Sequence, residues 1–197
     1  MGGDAKFVAK LDALFDAKVD PSHFKNVEDI TGLIGWYAHG NEPSHHIAYL
    51  YDYAGAPWKT QQRLKQIMDS QYATRPDGLA GNDDLGQMSA WYVFTALGFY
   101  PVTPASDEYA IGRPFVPHAA IHLSNGQTFT VSAAPLDDAH PYVGAVTLNG
   151  KPLGRVYLHH AEILAGGELH FVMQAQPNKD WGKGDIARPA AMSRYGE

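Results

Sequence analysis

The chain has 197 residues, a formal net charge of −6, no cysteine, and a composition that is 45% hydrophobic and 18% charged. This balance predicts a folded chain with a sizeable core and excludes global disorder. The negative charge, without any Lys/Arg cluster, argues against nucleic acid as a partner. No apolar stretch approaches the roughly 18 residues of a membrane span. The absence of cysteine excludes disulfides and thiolate metal sites.

The first hundred residues carry helical periodicity. An amphipathic pattern begins almost at the first residue, with apolar side chains such as Phe7 and Leu11 at helical spacing. Because the chain starts in this way, without the pattern of a signal peptide, we expect it to be part of something longer. Four helices are predicted, from about Asp4 to Ala17, from Pro43 or Ser44 to Gly55, over 57–72, and from near Asp84 to Gly98.

After Pro101 the hydrophobic period changes from helical to alternating. Five segments rich in β-branched and aromatic residues follow, and the Asn-Gly pairs in SNGQ and LNGKP predict hairpin turns. We therefore predict an α+β fold with helices first and strands after them. Its parts are a helical part over 1–104, an antiparallel sheet of about five strands over 105–182, and an irregular tail over 183–197.

Two adjacent acids, Asp83 and Asp84, stand at the predicted start of the fourth helix and pose the main question about function. One interpretation is that they cap the helix, because a carboxylate accepts N–H bonds and faces the positive end of the helix dipole. One acid is enough for that role. The other interpretation is a sugar site, since glycine lets a ligand approach the backbone and amides bind hydroxyls. The neighbours are of that kind: Gly81, Asn82, Gly86 and Gln87.

The segment YAHGNEPSHH, residues 37–46, places three histidines around Glu42. A zinc site disagrees with the spacing, because the adjacent side chains of His45 and His46 would point about 100° apart on a helix. A hard cation such as calcium, bound by Glu42 and loop carbonyls, fits the oxygen donors better. The alternative is that the histidines are structural, one packed and one exposed.

Two long motifs and a short one resemble the C-terminal part of glycoside hydrolase family 92. They are GNEPSHHIAYLYDYAGAPWKTQ, PDGLAGNDDLGQMSAWYVFTALGFYPVTP and LNGKPL, and the resemblance runs from about residue 1 to residue 182. The family comprises exo-acting, calcium-dependent α-mannosidases that invert the anomeric carbon. It builds an N-terminal β-sandwich and a C-terminal (α/α)6 barrel. The resemblance implies helical hairpins from part of that barrel, followed by the strands that finish it.

The resemblance also implies roles for individual residues. The family's Gly-[Asn/Asp]-acid-Asp-x-Gly segment places the general base on Asp84, with Asp83 beside it as a capping or orienting acid. Asn82 stands where some members have a second aspartate. The Gly-Asn-Glu-Pro turn resembles the calcium-binding and sugar-binding segment, which implies Glu42 and Asn41 as calcium ligands. The expected substrate contacts are His39, Asn41, Glu42, His45, Asn82 and Gln87.

The catalytic acid of the family is a glutamate in an aromatic-x-Glu-Gly-Asn context, and no Glu-Gly-Asn occurs in these 197 residues. We therefore expect a chain that carries the base but not the acid, and that is inactive alone. Its partner would be the missing N-terminal part of the enzyme. Its substrate would be an α-mannoside, α-1,2-linked, or a mannose-containing glycan. The alternative is a non-catalytic fragment or sugar-binding module.

Three further expectations follow. The family resemblance implies a periplasmic or secreted location. Helical hairpins with open apolar faces would favour self-association. If a base and a cation-binding group share one sugar, Glu42 and Asp84 should lie within ~10 Å of each other on one concave face.

Overall fold

The computed structural model of the chain describes residues 2–25, 27 and 30–191, with most helices in the first half. Pro57 occupies the first turn of its helix, where its missing N–H has no intrahelical partner to lose, and Gly98 ends another with a φ of 91°. Within these residues, no helix has the length and apolarity needed to cross a membrane. The α-helices are α1 (Asp4–Asp16), α2 (Leu50–Tyr53), α3 (Pro57–Gln71), α4 (Gln87–Leu97) and α5 (His160–Leu164).

The predicted helix over 43–55 is not continuous. Short 3-10 turns precede α2, which has only four residues. The carbonyl of His45 accepts the indole N–H of Trp91 at 3.1 Å, and the N–H of Tyr49 bonds to the carbonyl of His46 instead. A tertiary hydrogen bond has therefore taken an acceptor that a regular α-helix would use.

The strands form three separate sheets in the described part of the chain. The strands are β1 (Leu33–Ile34), β2 (Tyr37–Ala38), β3 (Phe99–Tyr100), β4 (Glu108–Ile111), β5 (His118–His122), β6 (Thr128–Ala134), β7 (Tyr142–Leu148), β8 (Lys151–Pro152), β9 (Tyr157–His159) and β10 (Gly167–Gln174). The largest sheet has the order β5-β6-β10-β7-β8, the second has the order β3-β4-β9, and β1 and β2 form a hairpin.

The largest sheet is mixed rather than antiparallel, which corrects the prediction. β10 pairs antiparallel with β7 but parallel with β6, with Leu169 beside Val131. Parallel neighbours need a crossover connection, and the chain supplies it by forming β7 to β9 and α5 before it returns. The strict order of helices before strands is also wrong, because β1 and β2 lie between α1 and α2, and α5 lies between β9 and β10.

The helices and the largest sheet pack against each other. One core cluster surrounds Trp91 in the helical part, a second surrounds Phe129 in the sheet, and Phe94 packs against both. The side-chain oxygen of Gln61 on α3 accepts the N–H of Val143 on β7 at 2.9 Å, in a buried position. The sheet therefore supports the helices that carry the loops described below.

The described part of the predicted tail, 183–191, is irregular except for a 3-10 turn at Asp185–Ala187. It reaches back to the first helix, where Arg188 forms an ion pair with Asp4 at 2.7 Å. Residues 192–197 of that predicted tail lie outside the described residues.

Asp52 is a fully buried acid whose described hydrogen-bond partner is a hydroxyl. Its Oδ1 accepts a bond from Thr60 at 2.7 Å, and its Oδ2 has no partner in the described structure. Burial raises the pKa of Asp52 well above its usual value, and the Thr60 bond opposes this effect only in part. Since the folded-state pKa is raised, the fold favours the neutral carboxyl group. The contribution of Asp52 to the free energy of unfolding is therefore lost as the pH rises.

We predict that Asp52→Asn stabilises the chain at neutral pH, because the amide can accept the Thr60 bond and cannot ionise. Above about pH 3.9, the pKa of a free aspartate, the free energy of unfolding of the wild type should fall relative to the variant by up to about 1.4 kcal/mol per pH unit. Urea unfolding from acidic to neutral pH measures this difference. The control is Asp77→Asn at an exposed turn, and parallel profiles for wild type and Asp52→Asn would contradict the prediction.

Candidate functional site

Two loops bring the carboxyl groups of Glu42 and Asp84 into contact. Glu42 begins a 3-10 turn after β2, and Asp84 lies in the loop before α4. Hydrogen bonding with Glu42 raises the pKa of Asp84, and desolvation and the charges of Glu42 and Asp83 act in the same direction. Glu42 Oε1 is buried and has no partner in the described structure. The predicted proximity of Glu42 and Asp84 is therefore confirmed.

The adjacent acids Asp83 and Asp84 have different surroundings. Asp83 Oδ1 accepts the N–H of Ser89 in the first turn of α4 at 2.9 Å, so Asp83 caps the helix. Asp84 is exposed. Its φ of 45° and the φ of 59° at Leu85 are left-handed, and for this reason α4 begins at Gln87 and not near Asp84 as predicted. The capping interpretation thus describes Asp83, whereas the Asp84 carboxyl group interacts with Glu42.

His39 is enclosed and does not line the surface near Glu42. Its ring nitrogens lie 2.8 Å from the Tyr37 hydroxyl and 2.7 Å from the Tyr72 hydroxyl, and the residue is fully shielded from solvent. Burial, and to a smaller extent His45, lowers the pKa of His39 to about 3. The direct sugar contact expected for His39 is therefore not what the structure shows, because both ring nitrogens are occupied. A neutral, structural histidine fits instead.

His45 and Gln87 join the two loops beneath the carboxyl pair. The His45 ring donates from Nε2 to the carbonyl of His39 at 3.0 Å, and its Nδ1 lies 3.3 Å from the Gln87 amide nitrogen. Burial lowers the pKa of His45, so Nδ1 is free to accept from Gln87. His45 is packed and His46 is exposed, which matches the structural alternative for this pair. The His45 ring and the Gln87 amide group therefore contact each other.

Two of the expected amide residues, Asn41 and Asn82, are accessible to solvent. Asn82 is exposed and Asn41 is half-buried, and each is adjacent in sequence to an acid of the site. No group of three His, Asp or Glu side chains in the described part of the chain converges as a metal site. Glu42 and Asp84 alone offer two carboxylates, so a hard cation there would complete its shell from amide or carbonyl oxygens, water or sugar hydroxyls.

One described groove does not include this pair. It has a volume of about 560 Å³ and lies between α3 and α4, where Tyr72, Leu79 and Tyr92 line it. The contact between Glu42 and Asp84 is the better guide to chemistry, because it brings two ionisable groups together, whereas the acid that lines the groove, Asp69, is paired with Lys65. The concave face expected around the pair stays a prediction.

Two tyrosines, Tyr37 and Tyr72, support the site through hydrogen bonds to His39 that the sequence did not indicate. Tyr72 stands 33 residues from its partner His39, and its hydroxyl also donates to the carbonyl of Met88 at 3.1 Å. No local pattern signals a contact over that separation. The only available indication was the density of aromatic and histidine residues in the segment 37–46.

Comparisons with known proteins agree with the motifs. The profile of the glycosyl hydrolase family 92 catalytic domain matches residues 1–175. An uncharacterized secreted glycosidase of Arthroderma benhamiae is 32% identical over 195 residues, which are 98% of this chain and 23% of that protein. The family 92 α-mannosidase BT3965 of Bacteroides thetaiotaomicron, solved with mannoimidazole, is 41% identical with a TM-score of 0.89, covering 96% of this chain and 25% of its own. The inverting mannosidase BT2199 from the same organism is 40% identical, with a TM-score of 0.83. The match covers 98% of this chain and 27% of BT2199.

The chain spans about a quarter of the length of these relatives. The profile match covers all the described α-helices and strands and both loops of the carboxyl pair. The resemblance inferred from the motifs is confirmed, and the chain belongs to glycosyl hydrolase family 92.

Proposed function

We propose that this chain is the base-bearing part of an inverting α-mannosidase, in which Asp84 activates the attacking water. The observation that carries the proposal is the contact between Glu42 and Asp84, assembled by two loops of a family 92 chain. Asp84 is exposed and free of the capping bond that Asp83 makes. Relatives described as an α-mannosidase and as an inverting mannosidase support the reaction class and the mannose-containing substrate.

Glu42 and Asp84 are not the acid and base of one inverting reaction. In that mechanism a protonated carboxyl and a carboxylate stand about 6.5–9.5 Å apart on opposite faces of the sugar, with room for water. Hydrogen-bonded carboxyl groups are much closer. Glu42 therefore acts beside Asp84, on the sugar or on a cation, and the proton donor comes from elsewhere.

The described glutamates outside the site offer no such donor. Glu108 accepts the N–H of Ala190, Glu162 pairs with Arg155, and Glu168 accepts from Ser132. All three belong to the sheet half or its connections. In this proposal the acid lies in the family segment that contains Glu-Gly-Asn.

The (α/α)6 barrel, the α-1,2 preference and a secreted location remain expectations from the resemblance and from the secreted relative.

Calcium fits the donors at this site. Glu42 would hold it with the side-chain oxygen of Asn41, since both are oxygen donors in one turn and Glu42 Oε1 has no other described partner. When bound, the ion would supply positive charge to the carboxyl pair and ligand positions for sugar hydroxyls. Positive charge near Asp84 favours its carboxylate form, which a general base needs. Asn82 and Gln87 supply amides for hydroxyl contacts close to Asp84.

We predict that the 197-residue chain alone releases mannose from α-mannosides negligibly, even with calcium. Loss of a general acid costs about 10²–10⁴-fold, because an unprotonated sugar leaving group departs slowly. Mannose release by the purified chain measures this, with Asp84→Asn as the blank. Robust turnover that disappears in Asp84→Asn would place both acid and base in this chain.

A chimera tests the proposed role of Asp84 directly. We predict that BT3965, with this chain in place of its matched quarter, hydrolyses α-mannosides, and that Asp84→Asn in the chimera lowers kcat by about 10²-fold or more because the base is lost. Asp77→Asn, at an exposed turn outside the site, is the matched control. A folded chimera whose kcat is insensitive to Asp84→Asn would refute the assignment of the base.

We predict different stability effects for substitutions of the two adjacent acids. Asp83→Ala should lower the free energy of unfolding by about 1 kcal/mol, because it removes the cap of α4. Asp84→Asn should leave stability unchanged or increase it, because it breaks no hydrogen bond of the helix, relieves a contact between two acids, and keeps a residue type that tolerates the left-handed backbone at this position. Chemical unfolding of the two variants side by side measures the difference. Equal destabilisation by both would mean that Asp84 is structural.

A further inference from the structure

The two loops of the carboxyl pair touch backbone to backbone at Gly40 and Gly81. A Cβ atom on Gly81 would lie 2.9 Å from both the Cα and the carbonyl oxygen of Gly40. A Cβ atom on Gly40 would overlap the hydroxyl of Thr31 and lie 3.2 Å from the carbonyl oxygen of Ala80. Side chains are therefore excluded from both positions in this arrangement of the loops.

The backbone conformation does not itself require glycine at these two positions. Other glycines of the same loops, such as Gly32 and Gly86, have left-handed φ values, but Gly40 and Gly81 do not. An alanine could adopt the same backbone angles at either position. The close approach of the two loops is the remaining physical reason for glycine there.

This contact lies close to the carboxyl pair along both loops. Gly40 is two residues before Glu42, and Gly81 is three residues before Asp84. The buried hydroxyl of Thr31, between the loops, has no hydrogen-bond partner in the described structure, so it fills space and does not tie the loops together. A hydrogen bond between carboxyl groups is lost once their oxygens separate beyond about 3.6 Å, so small loop movements matter.

We infer that Gly40 and Gly81 are positioning residues that set the separation of the Glu42 and Asp84 carboxyl groups through this loop contact. A methyl group at either position must shift one loop, and the carboxyl group that the loop carries moves with it. The inference rests on the proposed function for what the pair does in catalysis. The geometry of the loops is independent of that function.

The test compares Gly40→Ala and Gly81→Ala with Gly154→Ala in the 197-residue chain. Gly154 is a matched control, because its φ is not positive and a Cβ there meets no atom within 4 Å. Crystal structures give the carboxyl separation, and titration with terbium, as a substitute for calcium, gives the cation affinity. We expect both site variants to widen the separation and to weaken terbium binding by about 10–100-fold, the usual range for residues that orient metal ligands. The control should change neither.

A second substitution distinguishes positioning from a general loss of fold. Thr31→Ala removes the hydroxyl that the new methyl of Gly40→Ala would overlap, so the double variant should recover most of the separation and affinity. The same change should rescue Gly81→Ala less, because the backbone of Gly40 still blocks the methyl. If Gly81→Ala does not fold, the comparison of Gly40→Ala with the double variant Gly40→Ala, Thr31→Ala decides the inference.

An unchanged carboxyl separation in the site variants, or no recovery in the double variant, would overturn the inference. If the wild type binds no terbium, the calcium proposal fails, and the crystallographic separation still decides the role of the glycines.

Discussion

The geometry of the site depends on one buried imidazole, that of His39, held between two tyrosine hydroxyls. Because the Tyr72 hydroxyl donates to the carbonyl of Met88, it must accept from Nε2–H of His39, and Nδ1 then accepts from Tyr37. This chain of hydrogen bonds joins β2, the end of α3 and the start of α4. A buried donor or acceptor left unpaired costs about 1–3 kcal/mol, so the three elements are held in one relative position. The loops bearing Glu42 and Asp84 extend from that point.

Adjacent acids can perform separate tasks because the backbone turns sharply between them and the helix. Asp83 satisfies an N–H at the start of α4, while the left-handed conformations of Asp84 and Leu85 carry the next carboxyl group outward to Glu42. Such conformations cost of order 1–3 kcal/mol each in non-glycine residues and concentrate at functional sites. The helix cap holds this segment in place. Stability provided by one acid thus supports a strained position for the other.

Local signals predicted the features that have local causes. Pro57 and Gly98 mark helix ends because their backbone preferences act within one turn. The proximity of Glu42 and Asp84 has no local cause, and the family resemblance predicted it by placing both residues at one sugar. Long-range pairing decided the rest. The predicted helix over 43–55 is broken where the carbonyl of His45 binds the indole of Trp91, which is 46 residues later in the chain. The strand that pairs in parallel with β10 is β6, which is about 40 residues earlier. A single sequence contains no local record of such partners.

The position of β10 has a consequence for the order in which the chain folds. It is the central strand of the largest sheet, yet it is the last of the described strands along the chain, and both β6 and β7 pair with it rather than with each other. During synthesis the sheet therefore cannot close until residues beyond Gly167 have left the ribosome. Until then β6 and β7 present open edges, which other chains can pair with. Late insertion of a central strand also makes the topology rich in non-local contacts, which slows folding.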